Sequence, residues 1–230
     1  MKILVTRPAE DGAEIAQKLA ALGHEALLAP LLRIEFHAGP PLDLAGVQAV
    51  LATSPNGVRA LAARTAARDL PLFAVGPQTA ASAEKAGFTH VRNAAGDAVA
   101  LAGRAAEWAD PAGGTLLHVA GQEAPGSLAD SLLAQGFQVR RENLYRAVAV
   151  STLPEAAARG LCEQALDAVL FFSPRSAEIF ASCVRRAGLE TKSVCALCIS
   201  ENTARLLDGL EFREIRVASA PNQDSLLAML

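Results

Sequence analysis

Two serines in this chain stand where a strand would end and a helix would begin. Ser54 follows the apolar run 49–52 and precedes Pro55, and Ser173 follows the apolar run 168–172 and precedes Pro174. Serine is a preferred N-cap because its hydroxyl accepts from a backbone N–H in the first turn, and proline suits the first helical position. Free N–H groups and the positive end of the helix dipole also favour an anion there. The serines therefore suit two roles, ordinary capping and anion binding.

Further hydroxyl groups occupy the same kind of position, and each is either a helix cap or a group that contacts a ligand. Such a lining suits a flexible ligand with many carboxylates, and its members are Thr53, Ser54, Thr79, Ser173, Ser176 and Thr203. Arg7 follows the first predicted strand and is either solvated or in contact with a carboxylate. Tyr145 is the only tyrosine, and it either packs on a strand or offers its hydroxyl to the ligand. No nucleophile–base pair, Walker loop or dinucleotide-binding glycine motif is present.

The cysteines and histidines indicate structural roles. Cys195 and Cys198 have the spacing of a redox or metal pair, but they lie in a predicted strand, where an offset of three directs them to opposite faces. No second pair follows, so buried structural thiols are the favoured interpretation over metal or redox chemistry. The histidines lack metal-ligand spacing and are expected in structural or surface positions: His24, His37, His90 and His118.

Composition excludes several classes of protein. The 230 residues are 51% hydrophobic, enough to fill one large core or two smaller ones, which argues against a disordered chain. A net charge of −3 without a basic run gives no footprint for nucleic acid. The first residues predict a strand rather than a signal peptide, and no apolar run reaches the length of a membrane span. We therefore expect a cytoplasmic protein that binds neither membrane nor nucleic acid.

Strands and helices alternate along the whole chain, which predicts parallel sheets with helices on both faces. The predicted strands fall into groups of two, five and three, and the first and last groups together match the middle one. An ungapped internal alignment of residues 3–33 with 116–146 supports that sum, since it pairs Gly23 with Gly136 and Arg33 with Arg146. The chain thus contains two copies of a five-stranded unit, one inserted into the other.

This repeat predicts an α/β fold of two similar five-stranded parallel-sheet domains. One domain is discontinuous, residues 1–34 plus 152–230, and the other is continuous, residues 40–144. Linkers at 31–39 and 144–151 run in opposite senses, and we expect them to pair as a two-stranded antiparallel hinge. The ligand site is expected in a cleft between the domains, at the carboxyl ends of strands.

The ordered set of motifs resembles uroporphyrinogen-III synthase over nearly the whole chain. The motifs are Ile3-Leu4-Val5-Thr6-Arg7-Pro8, Thr53-Ser54-Pro55-Asn56-Gly57-Val58, Ala74-Val75-Gly76-Pro77-Gln78-Thr79-Ala80, Asn143-Leu144-Tyr145-Arg146, Phe172-Ser173-Pro174-Arg175-Ser176 and Asn202-Thr203-Ala204. Each motif alone is weakly specific for the family, but the full set in this order and at this spacing is strongly specific. The family's fold, two α/β domains joined by a two-stranded ladder, agrees with the repeat.

The resemblance implies a reaction and its residues. Linear hydroxymethylbilane is closed to uroporphyrinogen III with ring D inverted and water lost, without a metal or organic cofactor. It implies Tyr145 and Thr203 as catalytic residues, with substrate bound by Arg7, Thr53, Ser54, Gly76, Thr79, Ser173 and Ser176. It also implies a monomer that makes at most a transient contact with the preceding deaminase.

Two departures from the family pattern and one rival function accompany the resemblance. Residues 120–126 lack the usual arginine, which puts a carboxylate contact in doubt, and Ser200 stands where glycine is usual, which would tighten that turn. The rival is a non-catalytic binding protein that closes on a small polyanion, because helix N-termini bind anions there too. Turnover discriminates between the two.

Overall fold

The structure of the chain is a computed structural model that describes residues 1–124 and 126–230. Contacts divide the chain into two units, residues 1–33 with 148–230 and residues 34–147. The strands are β1 (Lys2–Val5), β2 (Glu25–Leu28), β3 (Leu32–Phe36), β4 (Val47–Ala52), β5 (Leu72–Ala74), β6 (Val91–Asn93), β7 (Thr115–Gly121), β8 (Gln138–Ala149), β9 (Ala168–Phe171), β10 (Cys195–Cys198) and β11 (Glu214–Val217). The helices are α1 (Ala9–Ala21), α2 (Pro55–Arg64), α3 (Pro77–Lys85), α4 (Ala98–Trp108), α5 (Ser127–Leu133), α6 (Glu155–Cys162), α7 (Pro174–Ala187), α8 (Glu201–Arg205) and α9 (Gln223–Leu227).

The first unit contains a five-stranded sheet in the order β11-β10-β9-β1-β2, and all its pairs are parallel. Its three central strands, β10, β9 and β1, are buried, nearly continuous apolar runs, whereas the edge strands β2 and β11 are partly exposed. On β10, Cys198 belongs to one core cluster and Cys195 to the other. The predicted placement of these two thiols on opposite faces is thus confirmed.

The second unit contains a sheet in the order β3-β8-β7-β4-β5-β6. From β8 to β6 every pair is parallel, and the strand order matches that of the first sheet when the internal repeat is applied. The prediction of a second five-stranded parallel sheet is wrong in one respect: the sheet has six strands and is mixed. The sixth strand is β3, which runs antiparallel to β8. Two backbone hydrogen bonds beside this pair show the direction: His37 N–H donates to the Leu144 carbonyl, and Val150 N–H donates to the Leu31 carbonyl.

The strand β8 is longer than the sequence pattern indicates. The predicted strand over 137–141 and the predicted linker over 144–151 are mostly one strand of 12 residues. No glycine or proline lies between Gln138 and Ala149, and β8 pairs with β7 on one side and with β3 on the other, with one register shift between Ala120 and Gly121 of β7.

The repeat is visible in the backbone of two helix ends. Gly23 and Gly136 both adopt a left-handed backbone, with φ of 78° and 86°. The next residue in each copy donates back to the helix, His24 N–H to the Leu19 carbonyl at 2.9 Å and Phe137 N–H to the Leu132 carbonyl at 3.1 Å. This is the glycine-terminated C-cap, and in each copy it leads the chain into the next strand.

No described helix has the length and apolar character needed to cross a membrane.

Candidate active site

The N-cap of α2 is Ser54, at the carboxyl end of β4. Its extended backbone lets the hydroxyl accept from Gly57 N–H at 3.0 Å. A Cβ on Gly57 would lie 3.1 Å from the Val119 carbonyl oxygen, so glycine allows this helix start to pack closely on β7. The predicted cap is confirmed, and it is held tightly against the neighbouring strand.

Tyr145 reaches the same cap from β8. Its phenol oxygen lies 2.8 Å from Ser54 Oγ, and both side chains are half-buried. The register between β7 and β8 shifts between Ala120 and Gly121, so that Gly121 lies opposite Tyr145. The extra residue in β8 at this bulge directs the tyrosine toward α2.

The phenol packs directly on the backbone of Gly121. A Cβ there would lie 2.9 Å from Tyr145 Cζ, 3.0 Å from Cε2 and 3.1 Å from the phenol oxygen. Burial raises the pKa of Tyr145 above its ordinary value, the hydrogen bond from Ser54 lowers this pKa, and the charge of Glu123 raises it further. The phenol is therefore neutral at physiological pH, and it is held by one hydrogen bond and by its contact with Gly121.

Three other predicted residues belong to this unit. Thr53 is half-buried next to Ser54, Gly76 caps α3 without a side chain, and Thr79 is buried in the first turn of α3. The nearest atom to a Cβ on Gly76 would be 3.9 Å away, so the space beside this helix start is open.

The first unit repeats the cap with a different partner. Ser173 has almost the same backbone angles as Ser54 and accepts from Ser176 N–H at 3.2 Å. Its hydroxyl lies 3.0 Å from the hydroxyl of Ser176, which also donates to the Ser173 carbonyl at 2.9 Å. These two hydroxyls are thus paired with each other, whereas Ser54 is paired with a tyrosine.

Thr203 lies in α8 and is fully buried. Its hydroxyl is 3.0 Å from Ser200 Oγ, and Ser200 caps the helix by accepting from Thr203 N–H at 3.3 Å. Gly76 and Ser200 share a φ of −160°, extended backbone open to any residue, so the serine adds a hydroxyl without changing the backbone torsion.

Arg7 follows β1 and is held on three sides. Its guanidinium forms a salt bridge with Asp11 at 3.2 Å, donates to Gln223 Oε1 at 3.4 Å and lies 4.9 Å above the Phe172 ring. Arg7 and Asp11 are mostly buried, so neither prediction for Arg7 describes it fully: its carboxylate partner within the chain is Asp11. Arg7 itself precedes α1, so the helix-face rule for residues four apart did not indicate this pair.

An arginine does lie beside the segment 120–126, but it comes from β8. Arg141 donates through Nη2 to the carbonyls of Ala124 at 2.6 Å and Gly121 at 3.2 Å. Pro125, in the middle of that segment, lies outside the described residues. A cation thus lies beside the segment where the sequence lacks the family's arginine, and no local motif indicated it.

The structure groups the predicted residues in separate clusters. Ser54 and Tyr145 meet, Ser173 and Ser176 meet, and Thr203 joins Ser200, whereas Arg7 joins residues that the sequence did not single out. Among residues 1–124 and 126–230, no group of three or more His, Cys, Asp or Glu could hold a metal ion. The arrangement offers neutral hydroxyls, helix N-termini and guanidinium groups, which bind carboxylates and donate protons.

Comparisons with known proteins agree with the motif set. Two solved structures share the fold: uroporphyrinogen-III synthetase from Helicobacter pylori, at 16% identity over 99% of this chain and 97% of that one with a TM-score of 0.66, and a mutant uroporphyrinogen III synthase from Thermus thermophilus, at 19% identity over 100% and 96% with a TM-score of 0.52. No curated protein matches the chain. The family model described as uroporphyrinogen-III synthase HemD matches residues 13–228. Since that match covers most of the sequence, the chain belongs to the uroporphyrinogen-III synthase family.

Proposed function

We propose that this protein closes hydroxymethylbilane to uroporphyrinogen III, with inversion of ring D and loss of water. The observation that carries the proposal is the family match over residues 13–228. It places the chain among cyclising lyases of tetrapyrrole biosynthesis and favours the synthase over a binding protein without chemistry.

Tyr145 is the residue that we assign to departure of the hydroxyl group. Its phenol protonates the hydroxyl on ring A, the carbon–oxygen bond breaks, and water leaves. The azafulvene cation that remains attacks the substituted carbon of ring D, and the resulting spiro intermediate fragments and recloses. The proton lost from carbon at the end returns to the phenolate, which restores the enzyme. Support comes from the position of the phenol, which is half-buried and held 2.8 Å from Ser54 Oγ at the N-terminus of α2.

Substrate carboxylates are assigned to the helix starts and guanidinium groups of both units. Serine hydroxyls and first-turn N–H groups bind anions without a net charge, and the proposed contacts are Arg7, Thr53, Gly76, Thr79, Ser173 and Ser176. Arg141, whose guanidinium lies at the segment 120–126, is added as the cation for that side of the substrate.

Thr203 is retained as the second catalytic candidate, acting through Ser200. Its hydroxyl is buried and lies 3.0 Å from Ser200 Oγ. In this role the pair sets the geometry of the α8 N-terminus, where first-turn N–H groups bind a substrate carboxylate.

The enzyme's main task under this proposal is conformational. Direct end-to-end closure gives the type I isomer, so the bound substrate must be held with ring D presented at its substituted carbon. Holding reacting ends in place removes the entropy cost of their encounter. Many weak carboxylate contacts suit this task.

The wider organisation remains a prediction from the sequence. We propose two domains, residues 1–34 with 152–230 and residues 40–144, with linkers at 31–39 and 144–151. A cytoplasmic monomer with transient contact to the preceding deaminase is part of the same proposal.

Isomer analysis tests the function. Hydroxymethylbilane is generated in situ, the protein is added, and the oxidised porphyrins are separated by chromatography. Predominantly type III product is expected. Type I product alone, at the uncatalysed rate, would contradict the proposal and leave a binding protein as the remaining function.

A further inference from the structure

We infer that Ser54 is a positioning residue for Tyr145: its hydroxyl donates to the phenol oxygen and holds the phenol in its reacting orientation. The inference rests on the proposed function and assigns Ser54 to the tyrosine rather than to a substrate carboxylate. It stands on the hydrogen bonds around one cap and on the difference between the two copies of the repeat.

The hydrogen-bond inventory of Ser54 leads to this assignment. A serine hydroxyl has one proton and two lone pairs. One lone pair accepts from Gly57 N–H at 3.0 Å, and the phenol oxygen of Tyr145 lies 2.8 Å away. When Tyr145 keeps its proton, either oxygen can donate. Once Tyr145 has given its proton to substrate, only Ser54 has a proton for this hydrogen bond.

The internal repeat supplies a natural comparison. In α7 the third helical residue is Ser176, and its hydroxyl lies 3.0 Å from Ser173 Oγ. In α2 the matching residue is Gly57, which has no side chain. A Cβ added at this position would lie 3.1 Å from the Val119 carbonyl oxygen. The N-cap hydroxyl therefore pairs with a serine in one copy, Ser173 with Ser176, and with a tyrosine in the other, Ser54 with Tyr145.

Backbone geometry fixes the tyrosine from the opposite side. The β-bulge places Gly121 opposite Tyr145, and the phenol ring lies against that glycine. The Tyr145 carbonyl also accepts from Gln122 N–H at 2.9 Å. With the ring backed by Gly121, the hydrogen bond to Ser54 determines where the phenol oxygen points.

The consequence for the reaction is stabilisation of the phenolate. Proton transfer leaves the negative charge on the phenol oxygen, and the hydroxyl of Ser54 shares its proton in a hydrogen bond without transferring it. Hydrogen bonds to charged groups are about twice as strong as neutral ones. Loss of Ser54 should therefore slow the chemical step more than it weakens substrate binding.

Three substitutions separate this role from helix capping. Ser54→Gly removes the hydroxyl while keeping a tolerated N-cap residue, Ser54→Thr keeps both, and Tyr145→Phe removes the phenol oxygen. Asp97→Gly is the matched control, because Asp97 caps α4 in the same unit, accepting from Val99 N–H and Ala100 N–H, and is exposed.

Two readouts are taken on each full-length variant. The first is kcat and KM for type III product. The second is the carbon-13 resonance of the phenol carbon in protein labelled at tyrosine, followed with pH. Because Tyr145 is the only tyrosine, a single resonance reports its hydrogen bond and its pKa.

Ser54→Gly is expected to lower kcat about 10- to 100-fold with little change in KM, to shift the resonance and to raise the pKa of Tyr145. Ser54→Thr should restore both readouts, Asp97→Gly should alter neither, and Ser54→Gly should cost nothing further in the Tyr145→Phe background. Should Ser54→Gly fail to fold, Ser54→Ala is measured in the same way.

The outcomes separate the inference from the proposed function. Type III activity that survives in Ser54→Gly, with an unchanged resonance, overturns the inference and leaves the synthase intact. Absence of type III product from the unaltered protein overturns the function, and the resonance then still shows whether Ser54 holds the phenol. Equal losses of kcat in Ser54→Gly alone and in the Tyr145→Phe background would also overturn the inference, because the two residues would be acting independently.

Discussion

Gly121 lies against the phenol of Tyr145 so closely that a Cβ at this glycine would come within 2.9 Å of the ring carbon Cζ. The two residues face each other across β7 and β8 because of the bulge between Ala120 and Gly121. The site thus depends on a residue that has no side chain and takes no part in the chemistry.

Gly121→Ala is expected to displace the phenol and lower kcat about 100-fold, because misplacement of a reacting group by about 1 Å costs that much. The free energy of unfolding should fall by about 1–3 kcal/mol, as for other overpacked sites. Steady-state formation of type III product and urea unfolding measure the two effects.

Gly126→Ala is the matched control for that substitution. A Cβ on Gly126 would meet nothing closer than 3.6 Å, and its backbone is helical. Its kcat should stay within about twofold of the unaltered protein. If Gly121→Ala behaves like Gly126→Ala, close packing on Gly121 has no part in positioning the tyrosine.

Arg7→Gln is expected to raise KM about tenfold and leave kcat nearly unchanged. The guanidinium, held by Asp11, Gln223 and Phe172, offers fixed donors to a substrate carboxylate, and such uniform binding appears in KM. Arg159→Gln is the control, because Arg159 forms an exposed pair with Glu155 on α6. An unchanged KM in Arg7→Gln would assign Arg7 to structure alone.

His118 is expected to make the protein acid-sensitive. It is buried, and neither ring nitrogen has a hydrogen-bond partner among the described residues. Burial, and then the charge of Arg141, lowers the pKa of His118 from 6.5 to about 4. The unfolded chain therefore binds a proton below pH 6.5 that the folded chain takes up only near pH 4. As the pH falls from 6.5 to about 4, the free energy of unfolding decreases, by at most about 3 kcal/mol from this group.

Urea unfolding at neutral and acid pH measures this dependence. His118→Leu should lose less stability between the two conditions than the unaltered protein does. His90→Gln removes an exposed histidine of the same unit and should leave the dependence as it was. Equal pH dependence in all three proteins would contradict the assignment to His118.

A single thiol is expected to react with an aromatic disulfide reagent in the folded protein. Cys162 is exposed, whereas Cys183, Cys195 and Cys198 are buried, and burial raises the pKa of each buried thiol, that of Cys198 to about 12. Because the thiolate is the reactive form, these three should react only after unfolding. Absorbance of the released aromatic thiol counts them, and Cys162→Ser should abolish the fast phase. Fast reaction of Cys195 and Cys198 together would restore the redox interpretation.

Local features of the chain were predictable because their physics is local. The serine caps at Ser54 and Ser173 depend on backbone groups within one helical turn, and the C-cap glycines Gly23 and Gly136 depend on one backbone torsion. The alternation of apolar runs with helical periodicity predicted parallel sheets, and the internal repeat predicted two related units, whose parallel strands have the same order in the structure.

Contacts between distant segments were not predictable in the same way. The Arg7–Asp11 salt bridge joins residues only four positions apart, but Gln223 and Phe172 meet Arg7 only in the folded unit. Likewise, Arg141 reaches the carbonyls of Gly121 and Ala124 from the neighbouring strand, a contact that no local motif indicates.

By itself, the sequence determined the α/β class, the repeat, the helix caps and the family motifs. The caps depend on residues close together in the chain, and the other features depend on the order of residues along it. Only the tertiary structure decided that β3 joins the second sheet, that β8 is one strand, and that Tyr145 meets Ser54, which lies 91 positions away, with Gly121 behind its ring. Strand register and the position of a bulge decide those contacts, and both are set by packing between strands rather than by the periodicity of any one of them.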